Sequence, residues 1–261
     1  MGRTHEALLQ AEEQYRKFFQ PVLGKGPHVK PSQVSSATRT RTDVVPTPRL
    51  AIQPKFIEYY DDLKTNLAAR YPNGSVKTIL FSATYHGVGC STTAVNFAAA
   101  LSKDPELKVL LAEVNLRTPS PHKVYKAASS LKLKDLLAGN TLQPMQFKRV
   151  MPWNFYVMTS GGNHKEPLRL LESGRFGQIL KAVRHRFDFV ILDGPPVLHF
   201  AESRVLSRMV DGTVLVIHSG GTRREVAMRA KQQLEDAGAK ILGVILNKRR
   251  YYIPEWIYRR L

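Results

Sequence analysis

Residues 81–93, Phe-Ser-Ala-Thr-Tyr-His-Gly-Val-Gly-Cys-Ser-Thr-Thr, carry the chain's most specific chemistry. Gly87 and Gly89 allow a tight turn that aims backbone N–H groups at oxyanions. Ser91 stands where a P-loop places its Mg²⁺-binding hydroxyl. Cys90 stands where a lysine should reach the β- and γ-phosphates, and Thr84 where the motif's first glycine would be. The pattern predicts a phosphate cradle made of Gly87, Val88, Gly89, Cys90, Ser91 and Thr92, with its cation missing. A second element supports it. The apolar run Val190-Ile191-Leu192 ends in Asp193, followed by Gly194-Pro195-Pro196. A carboxylate at the end of such a strand holds Mg²⁺ or its water in P-loop proteins. By itself a strand-end aspartate is often only a cap. Paired with the loop, it predicts nucleotide-binding ancestry, with ATP or ADP and Mg²⁺ as cofactor and with Ser91 and Asp193 as the metal-binding side chains.

Such a site needs a strand before the loop and a helix after it. Thr78–Ser82 reads as that strand and Thr92–Ser102 as that helix. Beyond them, strands and helices alternate. Strands are predicted over Lys108–Val114, Phe155–Thr159, Phe189–Leu192, Gly212–His218 and Lys240–Leu246. Helices are predicted around Leu131–Ala138 and over Phe176–Arg186 and Arg223–Ala237. Short, continuously apolar strands separated by helices belong to a parallel sheet covered on both faces. The fold class is therefore α/β: a doubly wound, mainly parallel sheet of P-loop NTPase type, with an N-terminal helix and a flexible linker. Residues 1–20 read as an amphipathic helix, with Leu8, Ala11, Tyr15 and Phe18 at helical spacing. Residues 21–54, rich in Pro, Ser, Thr and basic side chains, read as a flexible linker. The α/β domain spans 55–246 and opens with a helix over Lys55–Arg70. Residues 247–261 are a basic, aromatic tail.

The bulk numbers narrow the classes. The net charge is +18 and the pI near 10.1. Residues 247–261 hold five basic and one acidic side chain, the densest excess in the chain. Such charge favours acidic partners, among them anionic lipid, nucleic acid or an acidic protein, or it is simply a solvated basic surface. No apolar run reaches the ~18 residues of a membrane span. One cysteine allows no internal disulfide, and the first residues lack an apolar signal region, so a cytoplasmic location is expected. The histidines show no metal spacing.

With these motifs in place, the chain resembles the cytoplasmic domain of bacterial tyrosine kinases, the capsule and exopolysaccharide autokinases with deviant Walker motifs. The resemblance covers nearly the whole chain. Residues 6–11 and 58–67 are similar to the opening helix and to the segment before the first strand. Residues 87–93 align with a loop that in the family reads Gly-Glu-Gly-Lys-Ser-Thr. Val109–Pro119, with His122 nearby, resembles the second Walker-type motif, and Asp188–Leu198 the Walker B strand. Residues 243–247 resemble the closing strand, whose asparagine, Asn247 here, lies near the adenine in the family. The resemblance implies catalytic roles for Asp193 and Glu113, and phosphoacceptor roles for the tail tyrosines Tyr251, Tyr252 and Tyr258. It also implies a membrane-embedded polysaccharide co-polymerase or chain-length regulator as partner, and a site peripheral to the inner membrane. Homo-oligomers are possible, and nucleic acid is disfavoured.

The departures fall on the chemistry. Cys90 replaces the loop lysine, and Glu113 and Asn115 replace the two aspartates of the second motif. Of the Glu-x-x-Arg-x-x-Arg pattern that supports ring assembly only Glu58 is kept, with Asp61 and Lys64 in place of the arginines. Removing one charge-stabilising donor typically costs about 3–4 kcal/mol, roughly 10²–10³ in rate. Lys77, Arg117, His86 and Arg223 are candidate replacement cations. Cys90 is either a low-pKa thiol at a helix N-terminus or, more simply, a small residue tolerated there. The tail tyrosines are either acceptors or part of an amphipathic interface segment. Three functions are consistent with this reading. The first is a kinase-like, catalytically impaired regulator of exopolysaccharide synthesis and export. The second is an active tyrosine autokinase using ATP and Mg²⁺. The third is a positioning ATPase of the partition or septum type on membrane or DNA.

Overall fold

A computed structural model describes residues 54–72, 74–120, 131–139, 147–150 and 155–249. The expected helix over 1–20, the linker, His122 and the tail tyrosines lie outside these residues. In chain order the elements are α1 (Pro54–Arg70), β1 (Thr78–Ala83), α2 (Cys90–Leu101), β2 (Val109–Glu113), α3 (Leu133–Ala138), β3 (Lys148–Val150) and β4 (Phe155–Met158). They continue with α4 (Pro167–Glu172), α5 (Arg175–Arg186), β5 (Phe189–Asp193), α6 (Glu202–Met209), β6 (Gly212–His218), α7 (Arg224–Asp236) and β7 (Ile241–Asn247).

Seven strands form one sheet in the order β3-β4-β2-β5-β1-β6-β7. All described pairings are parallel except β3 with β4. Alternate side chains feed two cores, as a two-faced sheet requires. Ile79, Phe81, Leu111 and Ile191 pack with α2 on one face. Leu80, Leu110, Val190 and Leu192 pack with Leu133 of α3, with Phe176 and Ile179 of α5 and with Leu206 of α6 on the other. The alanines of α2, including Ala98, Ala99 and Ala100, are wholly buried, so the helix lies close against the strands.

The central strand β1 pairs with β5 on one side and β6 on the other. In open α/β sheets ligands bind at the carboxyl ends of such central strands, where the chain's winding direction reverses. The loop at 84–89 and Asp193 both sit at that end. Lys77 lies at the opposite end, before the first residue of β1. A strand of six residues spans roughly 20 Å, which removes Lys77 from the candidate cations.

Candidate nucleotide site

The loop is built by two left-handed glycines, Gly87 (φ +79°) and Gly89 (φ +97°). Gly89 precedes α2, and the amide of Thr93 donates to its carbonyl to close the first turn. A Cβ at Gly89 would lie 2.3 Å from Asn247 Nδ2, so both conformation and space demand glycine there. The floor is equally tight. Gly194, just after Asp193, leaves only 2.6 Å between an added Cβ and Leu80. Its N–H donates to Phe81, and Ser82 Oγ donates to Pro195 O at 2.6 Å. The segment after β5 is thereby fastened along the end of β1. Thr84 is fully buried, and its hydroxyl has no hydrogen-bond partner among the described residues.

Cys90 and Asp193 meet at the centre. The Asp193 carboxylate faces the Cys90 thiol. Burial, then the aspartate's charge, then its hydrogen bonding push the Cys90 pKa well above the ordinary thiol value. Cys90 is thus a neutral thiol, which decides between its two sequence readings against an activated thiolate.

Glu113 sits beside Asp193 in register at the end of β2. Its carboxylate is buried and already engaged. One oxygen accepts from the Ser120 amide, the other from the Ser160 amide at 2.9 Å and from Ser160 Oγ at 2.6 Å. It ties together two loops that flank the site. Asn115 accepts from the Thr118 amide and donates to its hydroxyl, both at 3.1 Å, which makes it a turn former.

The remaining cation candidates are placed as follows. Arg117 Nε pairs with buried Glu202 at 2.8 Å, and its guanidinium covers the Phe200 ring. His86 stacks on His199 at 5.6 Å. Burial, then the His199 charge, lower its pKa, so it is neutral near pH 7. Arg223 caps α7, and the loop meets the preceding turn through Tyr85, whose hydroxyl donates to Gly221 O. Sequence reasoning missed Lys248. Its ammonium donates to Gly87 O at 2.6 Å, directly on the loop, while Asn247 Nδ2 donates to Val88 O at 2.8 Å. The signal was present as a lysine adjoining Asn247, but only the fold brings β7 to the loop.

The donor set fits a nucleotide with Mg²⁺ in part. A glycine cradle, the start of a twelve-residue helix, the Ser91 hydroxyl and the Asp193 carboxylate are the groups that hold polyphosphate and metal. The in-loop ammonium is replaced by a neutral thiol that faces the aspartate. Among the described residues no cluster of three or more His, Cys, Asp or Glu forms an independent metal site.

A central parallel sheet with a glycine loop after β1 and an aspartate at the end of β5 defines a P-loop NTPase-like domain. The AAA domain family matches residues 76–220. The tyrosine-protein kinase YwqD of Bacillus subtilis is 30% identical over 76% of this chain and 84% of its own length. The tyrosine-protein kinase CpsD of Streptococcus agalactiae is 30% identical over 80% and 90%. The kinase domain of the Escherichia coli tyrosine kinase ETK superposes with a TM-score of 0.70 at 25% identity, covering 85% of this chain and 88% of that domain. The chain belongs to the bacterial tyrosine-protein kinase family.

Proposed function

We propose that this chain is a kinase-like regulatory component of bacterial exopolysaccharide or capsule synthesis and export, catalytically impaired but able to hold Mg-ATP or Mg-ADP. It would act by docking on a membrane-embedded co-polymerase or chain-length regulator, with nucleotide occupancy biasing the assembly. The observation that carries the impairment is Cys90: a neutral thiol stands where the family has lysine, and it faces the Asp193 carboxylate at the end of β5. Loss of an ionisable group at Asn115, and the commitment of Glu113 to Ser120 and Ser160, point the same way.

In this reading Gly87, Val88, Gly89, Cys90, Ser91 and Thr92 line the phosphates. Ser91 and Asp193 hold the metal. When bound, Mg²⁺ supplies charge neutralisation between phosphate oxygens. The residues of this chain orient the nucleotide; none of them gives the in-loop positive charge that transfer demands. Binding suffers less than turnover, because backbone N–H groups and the helix terminus persist.

The test combines calorimetric titration of Mg-ATP and Mg-ADP with transfer of radiolabelled phosphate. The expected result is saturable binding with no label on tyrosine. Clear autophosphorylation at Tyr251, Tyr252 or Tyr258 would return the active-kinase reading. Replacing Cys90 by lysine should tighten Mg-ATP binding by about 10–100-fold, the range of one charge-assisted hydrogen bond. That variant should still transfer slowly until Asn115→Asp is added.

A further inference from the structure

The geometry points to Lys248 as the residue that stands in for the missing loop lysine. Resting on the nucleotide-binding reading above, it is a positioning residue for the polyphosphate. It pins the Gly87 carbonyl outward and adds a positive charge at the rim of the cradle.

Three observations carry this. First, Lys248 is the one non-glycine residue with positive φ among those described, at +57°. A non-glycine residue in this conformation is strained, so some contact must hold it there. Second, the contacts are visible. The Lys248 amide donates to Asn247 Oδ1 at 2.9 Å, and the ammonium donates to Gly87 O at 2.6 Å. Asn247 in turn donates to Val88 O, and Ser219 N donates to Asn247 O at 2.8 Å, which fixes the end of β7 to β6. Two successive loop carbonyls are therefore held by two successive residues of one strand end. Third, three of the four cations proposed from the sequence are spent or misplaced, while Arg223, at the start of α7, has no hydrogen bond or ion pair with the loop among the described residues. Arg117 is paired with Glu202, Lys77 is at the far end of β1, and His86 is neutral near pH 7.

The consequence follows from how an anion cradle works. Its N–H groups converge on the ligand only while the intervening carbonyls point away. A loop lysine ordinarily supplies charge from inside the cradle. Lys248 reaches the loop from just past the end of β7, so it acts through the Gly87–Val88 backbone and through a longer-range attraction. Its effect should grow with the charge of the ligand.

The experiment titrates Mg-ATP, Mg-ADP and AMP into the full chain and into Lys248→Gln, Lys248→Arg, Cys90→Lys and the Cys90→Lys/Lys248→Gln double variant. Glutamine retains a donor for Gly87 O but removes the charge. We expect Lys248→Gln to weaken Mg-ATP by about tenfold or more, Mg-ADP less and AMP least, and Lys248→Arg to stay within about threefold. With Cys90→Lys present, the Lys248→Gln effect should shrink below about threefold, because the charge is then inside the loop. Unchanged Mg-ATP affinity in Lys248→Gln overturns the proposal while leaving nucleotide binding intact. So does an equal loss for all three nucleotides, or the same loss with and without Cys90→Lys. A natural chain that binds nothing while Cys90→Lys binds would overturn the nucleotide reading itself, and this proposal with it.

Discussion

Cys90 places a neutral thiol where the family loop carries a lysine. At a helix N-terminus a thiol would normally be acidified. Here burial dominates, and the Asp193 carboxylate adds to it, since a negative neighbour opposes thiolate formation. Both effects raise the pKa. The expected outcome is slow alkylation by iodoacetamide between pH 7 and 8, rising only beyond the ordinary thiol range. Asp193→Asn should bring the pH–rate curve back toward lower pH, because the charge and its hydrogen bond vanish while burial stays. An unmoved curve in Asp193→Asn would mean that the two groups do not interact. Glu113 is likewise engaged in the structure, its carboxylate accepting from two amides and a hydroxyl. Nothing in the residue type distinguishes brace from base, so the sequence alone left that role open.

Elements at the far end of the sheet hold the loop by holding β1. Asp211, just before β6, accepts from the amides of Lys77 and Thr78 at 2.9 and 2.8 Å, and its other oxygen pairs with Arg184 at the end of α5. Burial alone would raise its pKa. The Thr78 and Lys77 amides, then Arg184 and the Thr78 hydroxyl, more than reverse this and bring the pKa below the usual carboxylate value. A depressed carboxylate contributes stability that is present above its unfolded pKa and is lost as pH falls through the folded one. Asp211→Asn should cost roughly 2 kcal/mol near neutral pH, with the difference from the natural chain shrinking below about pH 4, checked by urea melts across pH. An unchanged gap at low pH would argue against the charge.

Around that scaffold, most strands were legible because each is a short apolar run. The sequence boundaries for β1, β2, β4, β5 and β7 fall within about a residue of those observed, and β6 coincides. The missed elements had no such signal. β3 is three residues, two of them basic, and earns its place by antiparallel pairing with β4. α4 has six residues, too few to show a period. α6 has eight, and it buries Glu202, Ser203 and Ser207 beside Leu206, so composition disguised its inward face. The loop and Asp193 were legible through local motif spacing, whereas the Lys248 contact depends on a residue 161 positions from Gly87.

At the scale of the whole molecule, the question is what surface the chain presents to partners. The helix α1 carries positions that in the resemblance would support ring assembly, but two of them are turned to internal use. Asp61 pairs with Lys103. Lys64 is buried beside the core pocket lined by Leu67, Ala68, Phe97 and Phe189. Burial lowers its pKa against the opposing pull of Asp104 and Asp61. A buried ammonium of this kind is a net cost that an apolar side chain of similar length avoids. Lys64→Met should therefore stabilise the fold by about 1 kcal/mol, a rise of about 2–4 °C in melting temperature. A fall would mean that its polar contacts outweigh desolvation. The chain also offers charge to partners. With +18 spread over the chain, attraction to acidic surfaces follows whatever α1 does. No described helix is long and apolar enough to cross a membrane. The 261-residue chain should pellet with phosphatidylglycerol-containing vesicles at about 50 mM salt and stay in solution at about 500 mM, where the Debye length is only a few ångströms. It should ignore zwitterionic vesicles throughout. A membrane-peripheral regulator requires that anionic lipid compete successfully with duplex DNA at equal charge concentration. If DNA wins and vesicles fail, the basic surface serves a nucleoid partner, and the positioning-ATPase reading gains over the polysaccharide one.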